Sequence, residues 1–400
     1  MIRLTMPHRL ITLAVLLVPL PSFAQDTTAP GAATRGAEAD TRAFEQSIAA
    51  AEARGGAYSA DLSETLLGLG LALQSQDRHP EAIEHLKRGV HLTRINNGLY
   101  SSAQIPLLLA EINSHMALGD YAEVDQRQAY LYRVQKKTSG KDGTLADAYM
   151  QQANWQYNAF QLGLGDYNFS RLMNMWDLYR SALEERSRQD GDDAPTLLPP
   201  LKGMLRTLYL ISAYEFPQSF QVANEDLSTR SDLNRFNAYK SQAFERGNTV
   251  IAYIRAVQEA NGRDYEAAQA QILLGNWNLL HGKRGAAWQA YGQAEMELTP
   301  ELVAQHNGVS PFFEPVALPE SAQLRALPPA VPQDEGDILL EFGITATGKV
   351  VDLERLDENE ELDGKANRLM RQLRRTRFRP KFEAGEPVAT QSVVRAYDIQ

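Results

Sequence analysis

The sequence predicts a mainly α chain followed by a small α+β domain of β-β-α-β order, and three observations carry that prediction. From about residue 41 to 298 apolar residues recur at helical spacing, and only six prolines interrupt the run. Seven prolines then crowd residues 299 to 335: Pro300, Pro311, Pro315, Pro319, Pro328, Pro329 and Pro332. Beyond them the apolar period becomes that of a strand, with residues two apart sharing a face. A chain of 400 residues, 44% of them hydrophobic, can bury the cores of two or three domains at roughly 150 residues each.

The first 24 residues stand apart. Arg3 and Arg9 precede the apolar run Leu10 to Val18, Pro19 and Pro21 break it, and Ser22-Phe23-Ala24 places small residues where a signal peptidase reads. The run is shorter than the about 20 residues a span needs. We therefore expect a secretory leader cleaved after Ala24, a periplasmic mature chain and no stable membrane span. Loss of Arg3 and Arg9 takes the formal charge from −10 to −12. So acidic a chain is repelled by nucleic acid and by anionic membrane surfaces. The sequence has no cysteine, which excludes thiol catalysis and cysteine metal sites and leaves stability to packing. Residues 25–40 are small and polar, and are expected to form a disordered lead-in.

The helical region contains internal repeats. With Ser63 as position 1, Leu66, Leu69, Gly70 and Leu73 occupy 4, 7, 8 and 11, and Ala82, Leu86 and Gly89 occupy 20, 24 and 27. From Ala268, the residues Leu274, Gly275, Ala287, Tyr291 and Ala294 occupy 7, 8, 20, 24 and 27, with Gln271 and Asn278 off-pattern at 4 and 11. Two weaker copies keep the inter-helix turn, around Gly119-Tyr121 and Gly165-Tyr167, but place Glu111 at 7 and Asn154 at 4. The alternation of large and small residues resembles the tetratricopeptide repeat (TPR). The resemblance implies a TPR-like α-solenoid over 41–298, with a concave groove suited to a peptide or a partner's helix. Residues 188–235 fit no repeat. There "RQDGDDAPTLLPP" reads as an acidic loop, with helices resuming at Leu201 and near Ser231. Trp155, Trp176, Trp277 and Trp288 fall in helical segments, where packing is the ordinary role of an aromatic ring. The proline-rich stretch 299–335 is expected to be a semi-rigid, extended linker.

The domain 336–400 begins with "DILLEFGITATGKVVDLERLD", which alternates Leu340, Phe342 and Ile344 against Leu339, Glu341 and Gly343 and turns at Thr347-Gly348, as a β-hairpin does. A helix follows, with Ala366, Leu369, Met370 and Leu373 on its apolar side, Asp363 near its start and arginines near its end, as the helix dipole favours. The run "RFRPKF" reads as a short strand with Phe378 and Phe382 inward, and "VATQSVVRAYDI" as a last strand. Arg371, Arg374, Arg375, Arg377 and Arg379 make a basic face. Seven carboxylates and one arginine from Asp352 to Asp363 balance it. The expectation is therefore a salt-bridged face or a docking face for an acidic partner, not a nucleic-acid footprint, which requires a net basic domain.

Four short motifs recur here in a familiar order: Gly348-x-Val350, Leu362-Asp363, Arg377-Phe378-Arg379-Pro380 and Gly385-Glu386-Pro387-Val388. Together they resemble the C-terminal domain of TonB-type energy transducers, over about a sixth of the chain. The resemblance implies recognition of outer-membrane receptors by strand addition, which makes the last strand, with Gln391, Val393, Arg395 and Tyr397, the candidate partner-binding edge. A true transducer also needs a retained inner-membrane helix with a Ser-His pair and a long Pro-Lys/Pro-Glu spacer, and this sequence departs from that pattern in each respect.

No motif carries catalysis. Of the seven histidines, His85 and His91 point to different helix faces, and no third ligand joins Glu81 and His85 to make a zinc site. No nucleophile elbow, Ser-x-x-Lys, phosphate loop or dinucleotide fingerprint occurs. No catalytic, cofactor-binding or metal residue is nominated, and the chain is not expected to be an enzyme. The function expected is that of a periplasmic adaptor, a TPR-like scaffold carrying a TonB-like module that binds extended segments of envelope proteins, outer-membrane proteins among them. The alternative is a TonB-type transducer with an uncleaved anchor.

Overall fold

The computed structural model describes residues 30–140, 143–165, 168–216, 227–306, 308–321 and 324–398. The leader with its cleavage site, residues 25–29 of the expected lead-in, and Tyr167 lie outside the described residues. Helices follow one another as α1 (Pro30–Gly55), α2 (Leu62–Gln74), α3 (His79–Asn97), α4 (Gln104–Ala117), α5 (Tyr121–Thr138), α6 (Thr144–Gln161) and α7 (Phe169–Asp190). Then come α8 (Leu198–Ala213), α9 (Leu227–Ala260), α10 (Asp264–Leu280) and α11 (Arg284–Glu297). Each packs chiefly on its neighbours in sequence, so the array is quasi-one-dimensional. No described helix is long and apolar enough to cross a membrane.

Residues 30–40, expected to be unstructured, are the first turns of α1. The later part of that helix is held by packing, with Ile48 and Ala51 buried and the Phe44 ring lying against Gly68 of α2. The stretch read as an acidic loop is also shorter than its composition suggests. Helix α7 continues to Asp190, Gly191 ends it at φ 94°, and a 3-10 turn (Pro195–Leu197) leads directly into α8. Pro199 and Pro200 sit in the first turn of α8, where a missing backbone N–H removes no helical bond.

Small residues let the paired helices meet. A Cβ on Gly70 would lie 2.7 Å from Leu86, and one on Gly275 2.2 Å from Tyr291. In both copies this is position 8 under position 24, so the sequence repeat is a repeat of contacts. The same device joins helices outside the repeats: Gly203 of α8 lies under Tyr179, and Gly247 of α9 under Trp277.

Glu111 breaks the repeat pattern inside the core. It is fully buried on α4, with Arg127 Nε 2.9 Å away, Lys87 Nζ at 4.0 Å and His115 Nε2 at 3.8 Å. Burial pushes its carboxyl up from the ordinary 4.5, opposed by Arg127 and Lys87. An apolar position 7 has thus become a buried charge reached by cations from α3 and α5.

The proline-rich stretch is not a spacer. It holds a short helix α12 (Pro300–Ala304) and four short strands, β1 (Val316–Leu318), β2 (Glu320–Ser321), β3 (Leu324–Arg325) and β4 (Ala330–Val331). The domain proper follows with β5 (Ile338–Ile344), β6 (Val350–Arg355), α13 (Asp363–Arg375), β7 (Arg377–Arg379), β8 (Lys381–Glu383), β9 (Glu386–Val388) and β10 (Thr390–Tyr397). The main sheet has the order β4-β10-β5-β6, and β1 pairs with β7 away from it. The single strand expected at "RFRPKF" is split at Pro380, which cannot donate to a ladder. β7 therefore pairs with β1 and β8 with β9.

Both phenylalanines of that run are buried, but in different cores. Phe378 joins Phe342, Leu369 and Leu373 beneath α13. Phe382 leaves the domain and packs on the last hairpin of the solenoid, with ring centroids 5.1 Å from Tyr291, 5.7 Å from Trp288 and 5.4 Å from Phe312. Glu295 of α11 also accepts from Gly385 N at 2.6 Å. The C-terminal domain is thus seated directly on the solenoid.

Three outcomes follow from this packing. Gly275→Ala should destabilise the chain by about 1–3 kcal/mol, the usual cost of overpacking, because the Tyr291 ring is itself held by Phe382; urea unfolding measures it. Phe382→Ala should cost about 3–5 kcal/mol and expose residues 299–335 to limited proteolysis, while a chain no more cleavable than wild type would show that the seat does not depend on this ring. For Glu111 the folded-state proton affinity is raised, so the wild-type chain is favoured below the unfolded pKa and loses stability as pH rises through the folded value. Glu111→Gln should therefore gain in melting temperature over wild type at about pH 8 and lose that gain towards about pH 4. An advantage independent of pH would sink the assignment.

Candidate functional site

One concavity of the solenoid lies over α6, between α5 and α7. Gln152 and Gln156, one turn apart on α6, form its floor and are 6% and 9% exposed. Tyr132 and Lys136 of α5 stand on one side, Asn174 and Asp177 of α7 on the other, and Tyr149 of α6 at the end, around a cavity of about 320 Å³. Gln156 and Asn174 also line a second cavity of about 410 Å³ that continues past Asp125 and Arg171 to Asp232 on α9. The two make one groove.

Its polar groups are held in place from below. Asp125 accepts from the Trp155 indole at 2.7 Å and from Arg171 at 2.9 and 3.1 Å. Burial opposes the Asp125 charge, yet the bonds from Arg171 and Trp155 outweigh it and keep the carboxyl below its ordinary range. Trp155 is thus a core ring whose N–H orients a groove residue. Tyr132 and Tyr149 lie with centroids 6.1 Å apart, and burial pushes the Tyr132 hydroxyl up to about 12, so it remains a neutral donor. Gln152 Oε1 is buried and has no hydrogen-bond partner. A buried acceptor without a partner costs about 1–3 kcal/mol. The lining offers amides, phenols and a few charges to a chain with both donors and acceptors. No group of three metal-ligating side chains occurs among the described residues.

The residues nominated from sequence are dispersed. β5 pairs along one side of β10, and on the other side β4 pairs only its end, with Ala396 opposite Val331 and Tyr397 opposite Ala330. Tyr397 is 1% exposed. Arg395, paired to Leu340, donates to Pro315 O at 2.9 Å. Val393 faces Phe342, and Gln391 sits exposed in the irregularity between Thr390 and Val393. The proline-rich segment, expected to be a semi-rigid, extended linker, supplied the strand that pairs with the end of β10, and nothing in its composition marks Ala330-Val331 as one.

The basic face is also divided. Arg379 is 5% exposed, lies over the Phe312 ring at 5.5 Å and donates to Pro311 O, with burial lowering its proton affinity. It belongs to the joint. Arg371, Arg375 and Arg377 meet Arg368, which the sequence reading passed over, around an open recess of about 600 Å³ with Leu280 and Leu318 on its opposite side. Arg374 is exposed and does not line the recess. The expected salt-bridged face does not form. The acidic stretch satisfies its own Arg355, which binds Asp357 and Asp363, and the arginines of the recess make no ion pair among the described residues.

The groove residues carried a faint sequence signal. Gln152 and Gln156 are polar residues one turn apart on the same helix as the buried Ala153 and Ala159, which a strictly apolar seam would not contain.

No protein-family model matches the chain, and neither does any curated protein. Solved structures similar to it include BtubC (BKLC) from P. vanneervenii, at 14% identity over 74% of this chain and 98% of that one, with a TM-score of 0.39. Two others are of a putative kinesin light chain from Podosopora anserina with nearly identical TPR-like repeats. One shows 12% identity over 62% of this chain and 99% of that one, with a TM-score of 0.39. The other, a substituted form, shows 13% over 59% and 93%, with a TM-score of 0.37. What this chain has of a TPR-like hairpin is visible in its own packing, in the contact of position 8 with position 24.

Proposed function

We propose that this chain is a periplasmic interaction scaffold, exported by a leader removed after Ala24, whose groove over α6 holds an extended segment of an envelope protein. The observation that carries the reading is the buried, unpartnered Gln152 Oε1 on the floor of a groove walled by Tyr132 and Asn174. An extended backbone presents alternating N–H and C=O groups, which amide and phenol side chains on rigid helices can satisfy. The role is binding rather than catalysis.

The TonB-like order of motifs supports an envelope setting for the C-terminal domain. Strand addition at β10 is the weaker route, since β4 takes the end of that strand. The domain's part in the reading is to sit on the last hairpin and present a second surface to the partner.

Peptides selected from a random library against the purified chain test the reading. Calorimetry should show affinity falling about tenfold, or about 1.4 kcal/mol, with Asn174→Ala and with Gln152→Leu, and holding with Arg395→Ala. The reverse pattern would move recognition to β10, and peptides indifferent to all three substitutions would overturn the groove. Mass spectrometry of the soluble periplasmic fraction should find Gln25 at the mature N-terminus, whereas a membrane-bound chain retaining Met1 would restore the transducer alternative.

A further inference from the structure

We propose that the recess between α13 and the end of the solenoid is a binding site for a phosphoryl group. It stands apart from the groove and goes beyond the interaction reading. Arg368, Arg371 and Arg375 share one face of α13 at spacings of three and four residues, and Arg377 joins them from β7. Leu280 from the end of α10 and Leu318 of β1 stand on the opposite side of an open recess of about 600 Å³. That is within the roughly 300–1,000 Å³ of small-ligand sites.

The charges there are largely uncompensated. Arg368 Nε donates to Gly364 O at 3.2 Å and Arg377 donates to Thr347 O at 3.3 Å. Among the described residues no carboxylate comes within ion-pair distance of the four guanidiniums. Like charges one turn apart repel. The helix dipole explains arginines in the last turn, as at Arg374 and Arg375, but not Arg368 or Arg371. Arg368, Arg371 and Arg375 are solvent-exposed, yet they converge with Arg377 on a recess whose far side is two leucines rather than carboxylates.

The convergence selects the ligand. Four guanidiniums around one small volume suit an anion whose charge is compact. A phosphoryl group carries about −1.5 to −2 and three acceptor oxygens, enough to engage more than one arginine fork. A row of peptide carboxylates needs an extended strip instead. The chain's net charge of −10 disfavours a long polyanion such as nucleic acid. The leucine wall can take the apolar part of whatever bears the phosphate. The bearer is either a free small molecule or a lipid headgroup.

Titration of the full chain with inorganic pyrophosphate, and flotation with phosphatidic acid against phosphatidylcholine vesicles, separate these sources. The double substitution Arg371→Gln/Arg375→Gln should weaken binding about tenfold or more, the loss expected of charge-assisted hydrogen bonds. Arg374→Gln, which removes one charge on the same helix outside the recess where the double variant removes two within it, should leave binding within about twofold. Pyrophosphate binding lost only in the double variant supports a free phosphate ligand. Vesicle binding with that dependence supports a headgroup. Equal weakening by Arg374→Gln, or no binding to either probe, would overturn the site. An oligoglutamate peptide outcompeting pyrophosphate would overturn the phosphoryl assignment in favour of an acidic partner.

Discussion

The architecture depends on how closely its helices approach. Two helices carrying full side chains sit about 8–10 Å apart, and the seams here are drawn in where one side has no Cβ. Gly70 receives Leu86, Gly203 receives Tyr179, Gly247 receives Trp277 and Gly275 receives Tyr291. Each glycine lies within a helix interior, at a propensity cost of about 1 kcal/mol relative to alanine. That cost is offset by burying a large side chain over bare backbone. The solenoid propagates because successive seams share helices, so each hairpin is stabilised mainly by the next.

A solenoid of this kind must end somewhere without leaving its last apolar face in water. Here the end is Tyr291 and Trp288, and Phe382 from the C-terminal domain covers them together with Phe312. The domain is thereby a cap as well as a module. Because β1 and β4 come from the proline-rich connection and pair with β7 and β10, the connection is part of the same body. The arginine recess depends on this seating, since Leu280 of the solenoid and Leu318 of β1 stand opposite α13.

Buried polar groups mark where packing and chemistry conflict. Glu111 replaces an apolar seam residue and is met by Arg127, Lys87 and His115. Arg206, also buried, has Tyr179 and Asn154 as its hydrogen-bond partners and lies 4.1 Å over the Tyr157 ring. Both find their partners within the helical core. Gln152 Oε1 lacks a hydrogen-bond partner, as Glu111 Oε1 and Oε2 and Arg206 Nε also do, but the Gln152 side chain lines open volume. That difference separates a structural polar residue from a candidate contact.

Local pattern alone determined the helical region, the strand-forming tail, the two good hairpins and the β5–β6 turn at Gly348. These depend on periodicity and on residues within a turn or two of each other. The groove, the covered strand and the recess were decided by tertiary structure. Gln152 and Asn174 meet only when α6 packs on α7, and Ala330-Val331 becomes a strand only because β10 offers it an unpaired backbone. Arg379 left the basic face because it is buried over the Phe312 ring and donates to Pro311 O, while Arg368 entered because helical geometry aligns it with Arg371 and Arg375. Sequence spacing sets the face on which a side chain emerges. What stands opposite that face depends on long-range packing, and binding chemistry depends on both.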